Sequence, residues 1–184
     1  MHSGLRTLPA FAIAGALAIA SAATILTAAP YARGERRSET TVRIAKAAHT
    51  MTVYDGARPV AVYRVAIGPG GPGAKHREGD KVTPVGRYHI VGKTPSADFH
   101  RFLRLDYPNA DDRARFAAMK ARGELAPTAT IGGDIGIHGS PRNPEWKPVH
   151  KDFDWTLGCI AVDDEEIDAI DALTRVGTVV EIDD

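Results

Sequence analysis

The sequence has almost no cysteine, no net charge and no internal repeat. Its one cysteine among 184 residues, Cys159, has no partner for an internal disulfide, so the fold holds without covalent staples. Lysine and arginine total 23, and aspartate and glutamate also total 23. That balance leaves no field to draw the chain to nucleic acid or to an anionic lipid surface, so partners must be sought at specific sites. No period of repeat length recurs and no heptads run along the chain, which excludes solenoids and coiled coils. What is plentiful is glycine (18) and proline (12), the mark of a turn-rich, β-dominated body. The length suits one domain of ordinary size with a real core.

The N-terminus stands apart. His2 and Arg6 precede "LPAFAIAGALAIASAATILTAA", an uncharged apolar run from Leu8 to Ala29 with "ASA" at Ala20 to Ala22. A basic start, an apolar stretch and small residues at its end form the pattern of a secretory signal. The run is also long enough to span a bilayer as an uncleaved anchor. Residues 1–32 therefore read as a signal peptide or N-terminal membrane anchor, 33–41 as a polar linker, and 42–184 as the folded domain. The chain is expected to be exported, to the periplasm or cell envelope. An oxidising compartment makes a lone thiol vulnerable, and an inert packing role there is better served by alanine or valine.

Within the domain, "TVRIAKAAHTMTVYDGARPVAVYRVAIG" alternates apolar and polar residues. Its Asp55-Gly56 dipeptide predicts a hairpin over Met51 to Ile67. The glycine-rich stretch from Gly68 to Lys81 leads into prolines and a strand rather than a helix, so it reads as a flexible loop and not as a phosphate cradle. "TPVGRYHIVGK" returns to strand, its start bent by Pro84 and Gly86. "YPNADDRARFAAMKARG" predicts a helix capped by Asn109, favoured by Asp111 and Asp112 at its positive end and stopped by Gly123, with its arginines on a solvated face. "ATIGGDIGIHGS" reads as a strand reached through two glycines and carrying His138 near its end. After Cys159, Asp163 and Glu166 have the spacing of a capping box. Ile167, Ile170 and Leu173 form the buried stripe of the helix that follows, Gly177 ends it, and "TVVEI" closes the chain as a strand.

Three roles are open to Cys159. A thiol becomes a strong nucleophile only on losing its proton, which a histidine can take and later deliver to a leaving amine. His138 fits that task if its second ring nitrogen is pinned by a local acceptor from Gly139 or Ser140. Gly158 leaves space beside sulfur, and the N–H groups of Gly158 and Cys159 are candidate donors to an oxyanion. The outcome is acyl transfer through a thioester. A zinc shell of His138, His150, Asp154 and Cys159 is the second role, although this spacing matches no short zinc signature. The third is a plain buried thiol. His150 falls either on a loop near the site or on the surface, and Trp155 and Trp146 either wall the pocket or simply pack.

"IHGS" followed by "DWTLGCIAV" resembles the L,D-transpeptidase catalytic domain (YkuD-type) family, whose pattern is His-Gly, a variable stretch, then Ser or Thr, any residue, Gly and Cys. "DKVTPVGRY" resembles that family's Thr-Pro-x-Gly strand, and "VGTVVEI" its closing strand, so the likeness runs from about Val42 to Ile182. The resemblance implies a mainly β fold with few helices, a sheet cradle or sandwich, and one α-helix following the cysteine. It implies Cys159 as nucleophile and His138 as proton donor and acceptor, with Gly139 lending its carbonyl to the imidazole and Ser140 and Gly158 beside them. It also implies action on peptidoglycan stem peptides, with D-alanine released and the acyl group passed to an amine of another stem, to a wall-anchored protein or to water, without metal or cofactor.

Two positions depart from the pattern: Leu157 stands where many members have histidine, and Ala161 where many have arginine or asparagine. Lys75, Arg77, Lys81, Arg101 and Arg104 are candidates to hold substrate carboxylates in place of that arginine, each also readable as a solvated charge. Thr156, Trp155, His150, Lys81 and Arg101 complete the expected substrate-binding set. A hydrolase on the same scaffold and a wall-binding module without catalysis are the other two readings.

Overall fold

The computed structural model describes residues 1–2 and 39–184; the apolar run and most of the linker lie outside the described residues. Arg36–Asp184 forms one compact unit. Among the described residues no helix is long and apolar enough to cross a membrane. Over the described residues the fold is mainly β, an eight-stranded mixed sheet with two helices.

Period-two burial builds the first three strands. In β1 (Thr40–Ala45) Val42 and Ile44 face the core, opposite Val53 and Met51 of the antiparallel β2 (Thr50–Asp55). Gly56 takes φ +61° at the turn into β3 (Arg58–Arg64), so the hairpin expected from Asp55-Gly56 is present. β8 (Val179–Asp183) lies parallel to β1 and antiparallel to the start of β4 (Gly86–Ser96). The two ends of β4 serve different neighbours. Gly86 to His89 pair with β8, and from Ile90 to Ser96 the strand pairs with β5 (His100–Leu105), with a register shift between Ile90 and Gly92. Such an irregularity bends a strand and increases its twist.

β5 leads to β6 (Gly136–His138), and β7 (Ile160–Ala161) adds in parallel beyond it. The sheet then curls back on itself. Ala66, just past β3, exchanges backbone hydrogen bonds with Ala161 of β7 at 3.0 and 2.8 Å, so the two ends of the strand order meet. Tyr88, Ile90, Leu103, Ile137 and Ile160 share one buried core with Ile167 and Ile170 of the second helix. Burying each such side chain stabilises the fold by roughly 1.5–3 kcal/mol.

The first helix, α1 (Ala110–Ala121), starts at Asn109, whose side chain accepts from the N–H groups of Asp111 and Asp112 at 2.9 and 3.1 Å. Gly123 at φ +73° follows its C-cap. In α2 (Asp164–Leu173), Glu166 accepts the N–H of Asp163 at 2.9 Å, the return half of the expected capping box.

Three expectations need correction. The strand reached through the two glycines of "ATIGGDIGIHGS" is shorter than read, with only three residues, because Asp134 at φ +55° cannot extend a ladder. Leu173 is exposed, since the buried stripe of α2 ends at Ile170. The helix stops at Thr174, whose hydroxyl bonds the Ile170 carbonyl at 2.7 Å, three residues before Gly177.

Candidate active site

Strand register brings the histidine and the cysteine to one face. Ile137 pairs with Ile160 and His138 with Ala161, so Cys159, one residue before β7, lies opposite Gly136. Side chains two apart on a strand share a face, and in a parallel pair opposite residues point the same way. Cys159 and His138 are therefore diagonal neighbours on one side of the sheet, and both line a single cavity of about 760 Å³.

The imidazole of His138 is fixed and dry. It is 1% exposed, with the Phe99 ring at 4.2 Å, the Trp155 ring edge-on at 5.7 Å and the Phe102 ring stacked at 6.0 Å between centroids. Its Nδ1 lies 2.8 Å from the carbonyl oxygen of Gly139. A carbonyl only accepts, so Nδ1 carries the proton and Nε2 is left with its lone pair. Burial drives the pKa down to about 4; the Gly139 carbonyl works the other way, and the nearby His150 adds to the fall.

Cys159 is partly open to the cavity. Its thiol points to the carbonyl of Asp134 at 3.5 Å, and among the described residues no hydrogen bond joins sulfur to imidazole. Burial pushes the thiol pKa up to about 11, with the Gly136 N–H and Lys75 opposing and Asp134 adding. Desolvation thus favours the neutral thiol and the neutral imidazole, not a standing ion pair.

The turn before the cysteine is built around two residues. Gly158 takes φ +124°, and a Cβ there would meet the Val82 carbonyl at 2.8 Å and Ile135 at 3.0 Å, so only glycine fits. Thr156, 3% exposed, donates its hydroxyl to the Cys159 carbonyl at 2.7 Å and accepts the Gly158 N–H at 3.2 Å. The Gly158 N–H is therefore engaged by Thr156 and is not the open donor expected. Among the described residues the N–H of Cys159 itself makes no hydrogen bond.

Thr156, Trp155 and Leu157 line the cavity with Cys159 and His138; His150, Lys81 and Arg101 do not. His150 is buried, its Nε2 donating to Asp163 at 2.9 Å, which places it behind Trp155 rather than on the surface. Arg101 is turned to α2, donating to Asp168 at 2.8 Å. Lys81 is exposed at φ +56°. Lys75 is buried against Asp80 at 2.5 Å, and Arg77 borders a different depression. Of the five candidate cations only Arg104 lines the cavity, where it pairs with Asp134 at 2.8 Å. Trp146 is exposed against Phe153 and does not wall the pocket. The four residues weighed as a zinc shell do not converge, since His150 is held by Asp163 and Asp154 by His49 at 3.0 Å.

The profile of the L,D-transpeptidase catalytic domain matches residues 39–182. The chain belongs to this family. No curated protein sequence matches it. Among solved structures it is similar to the helical cell shape determining protein Pgp2 from Campylobacter jejuni, at 25% identity and TM-score 0.58 over 78% of this chain and 47% of that one. It shares the fold of Bdellovibrio bacteriovorus Bd1075 (18% identity, TM-score 0.55, 83% of this chain and 50% of that one). The L,D-transpeptidase from Xylanimonas cellulosilytica DSM 15894 has the same fold (18%, 0.51, 80% and 62%). The chain thus spans about half to three-fifths of the length of these structures.

Against the L,D-transpeptidase pattern, the two departures take different places. Leu157 is 71% exposed at the cavity rim. Ala161 is fully buried in the seam between His138 and Ala66, which it joins through its backbone. Phe99, Phe102, Asp134 and Glu78 also line the cavity and were not singled out in the sequence. The alternation in "HRFLRL", with Leu103 and Leu105 buried, was the available sign of β5 and hence of Phe102. Nothing local marks the Asp134 carbonyl, which meets sulfur only through the fold.

Proposed function

We propose that this chain is an exported cysteine acyltransferase acting on peptidoglycan stem peptides. The observation that carries the proposal is the shared face of Cys159 and His138 in one cavity, with Nδ1 committed to Gly139 and Nε2 free. On substrate binding the S–H leaves the Asp134 carbonyl for Nε2, and sulfur attacks the carbonyl carbon between the diamino acid and the terminal D-alanine. The N–H of Cys159 faces the developing oxyanion. The C–N bond breaks as the imidazolium returns the proton to the amine of D-alanine, leaving a thioester. An acceptor amine then attacks, its proton passes to His138, and the C–S bond breaks to regenerate the thiol. Trp155, Phe99 and Phe102 exclude water from the imidazole, and Arg104, which lines the cavity paired with Asp134, is the candidate to meet a substrate carboxylate.

The acceptor is another stem peptide or a wall-anchored protein, and export rests on the basic and apolar N-terminal pattern. Incubating the purified chain with tetrapeptide muropeptides and identifying products by mass tests the proposal. Crosslinked dimers with free D-alanine are expected. Shortened monomers alone would make the chain a hydrolase, and binding without turnover would make it a wall-binding module. Cys159→Ala is expected to abolish turnover with the fold intact, and His138→Ala to lower kcat by orders of magnitude.

A further inference from the structure

The proposed mechanism requires Nδ1 of His138 to keep its proton, and hence requires the Gly139 carbonyl to stay aimed at it. Glycine has no side chain to hold that carbonyl. The hold comes from the other end of the same peptide group. The N–H of Ser140 donates to Oδ1 of Asp164 at 3.0 Å, and the Ser140 hydroxyl donates to the same oxygen at 2.7 Å. Because the peptide unit is planar and trans, its N–H and C=O point in opposite directions, so fixing one fixes the other. On the amino side, the N–H of Gly139 donates to the Phe99 carbonyl at 3.1 Å. A Cβ at Gly139 would lie 2.7 Å from both Asp164 Oδ1 and the Phe99 carbonyl, so this peptide is wedged between them.

We infer that Asp164 is a positioning residue for His138, acting through the Gly139–Ser140 peptide to set the imidazole tautomer and strengthen its hydrogen bond. The chain of groups runs imidazole N–H, carbonyl, amide N–H, carboxylate, with every dipole aligned. A carboxylate at the amide end polarises the peptide and makes the Gly139 oxygen a better acceptor, and so stabilises the imidazolium formed when sulfur attacks. Asp164 is well placed to stay ionised. It opens α2, where the helix dipole favours negative charge, and its second oxygen accepts from Lys147 at 2.6 Å. Burial raises its pKa, but the bonds from Lys147 and Ser140 outweigh this and hold it below the usual carboxylate value.

The inference rests on His138 being the base in the proposed function, and its test keeps the two apart. The full chain labelled with 15N-histidine reports the tautomer of each ring by NMR, and loss of one signal in His138→Gln assigns that ring. The native chain is expected to show only the Nδ1–H tautomer at His138. Asp164→Ala should populate the Nε2–H tautomer and lower kcat about tenfold or more with KM changed less than twofold, and Asp164→Asn, which still accepts from Ser140, should restore the tautomer. If Asp164→Ala does not fold, Asp164→Ser withdraws the carboxylate while keeping a good residue at the helix start, with the same outcomes expected. An Nδ1–H tautomer and a kcat unchanged from the native chain in either variant would overturn the role of Asp164. Native turnover in His138→Gln would instead remove His138 as base, with the NMR result still deciding what holds its ring.

Discussion

At the residue scale, burial acts on the two central groups in opposite directions. It lowers the His138 pKa to about 4 and raises that of Cys159 to about 11, so both rest uncharged at neutral pH. The two shifts carry a stability signature. Between about pH 4 and 6.5 the unfolded chain protonates the histidine while the folded chain does not, so stability is full above 6.5 and is lost as pH falls toward 4. With about 1.4 kcal/mol per pKa unit, His138 contributes on the order of 3 kcal/mol to that loss. Urea unfolding at stepped pH is expected to show it in the native chain, and a smaller acid-side loss in His138→Gln. An identical acid-side slope in both would mean that the buried ring is not the source. For Cys159 the sign reverses, with stability lost as pH rises from about 9 toward 11. The residues that create both shifts were only partly legible. His138, Cys159 and Trp155 stand in motifs, whereas Phe99 and Phe102 reach the imidazole from β5 and the neighbouring turn, contacts that only strand pairing creates.

At the element scale, the turn from Thr156 to Cys159 and the start of α2 decide where the thiol sits. Thr156 ties the Gly158 N–H to the Cys159 carbonyl through one buried hydroxyl. Thr156→Val keeps the shape and removes both bonds, leaving buried groups unpaired, so a loss of about 1–3 kcal/mol is expected. Turnover should fall with it, because the cysteine loses its anchor; chemical unfolding and kcat together check this, and an unchanged value of both would dismiss the anchor. Local signals gave the helix starts well, since Asn109, Asp163 and Glu166 act within their own first turn. The carboxylate of Asp163 shows where local spacing runs out, because it also holds His150 and Lys151 of the long excursion at 2.9 and 2.5 Å. That pairing buries His150, a position its polar neighbours in sequence did not suggest. Leu173 misled for the converse reason: it continues the helical stripe but is left exposed at the end of the helix.

At the scale of the whole molecule, the meeting of Ala66 with Ala161 joins the first hairpin to the strand that follows the cysteine. The core runs without interruption from Val42 and Met51 through Ile137 and Ile160 to Ile170, so the site has no separate foundation. The described domain should therefore unfold in one transition. The chain's two tryptophans, Trp146 and Trp155, both lie in the segment between His138 and Cys159, so their fluorescence reports that region while far-UV circular dichroism reports the sheet. Coincident urea midpoints are expected, and an earlier fluorescence midpoint would show that the site melts by itself. The sheet cradle was implied by the family resemblance, and the helix after the cysteine also by its own capping box. The closure of the sheet was not, because a single pair of alanines far apart in sequence carries no pattern.

The central claim is that the sulfur of Cys159 forms a covalent acyl bond with the help of His138. Intact-mass measurement of the full chain during reaction with tetrapeptide muropeptides, followed by peptide mapping, tests it most directly. The account predicts a transient mass gain equal to the acyl portion of the donor, mapped to the peptide holding Cys159, absent in Cys159→Ala and slowed by orders of magnitude in His138→Ala. An adduct on any other residue, or undiminished turnover by Cys159→Ala, would contradict it.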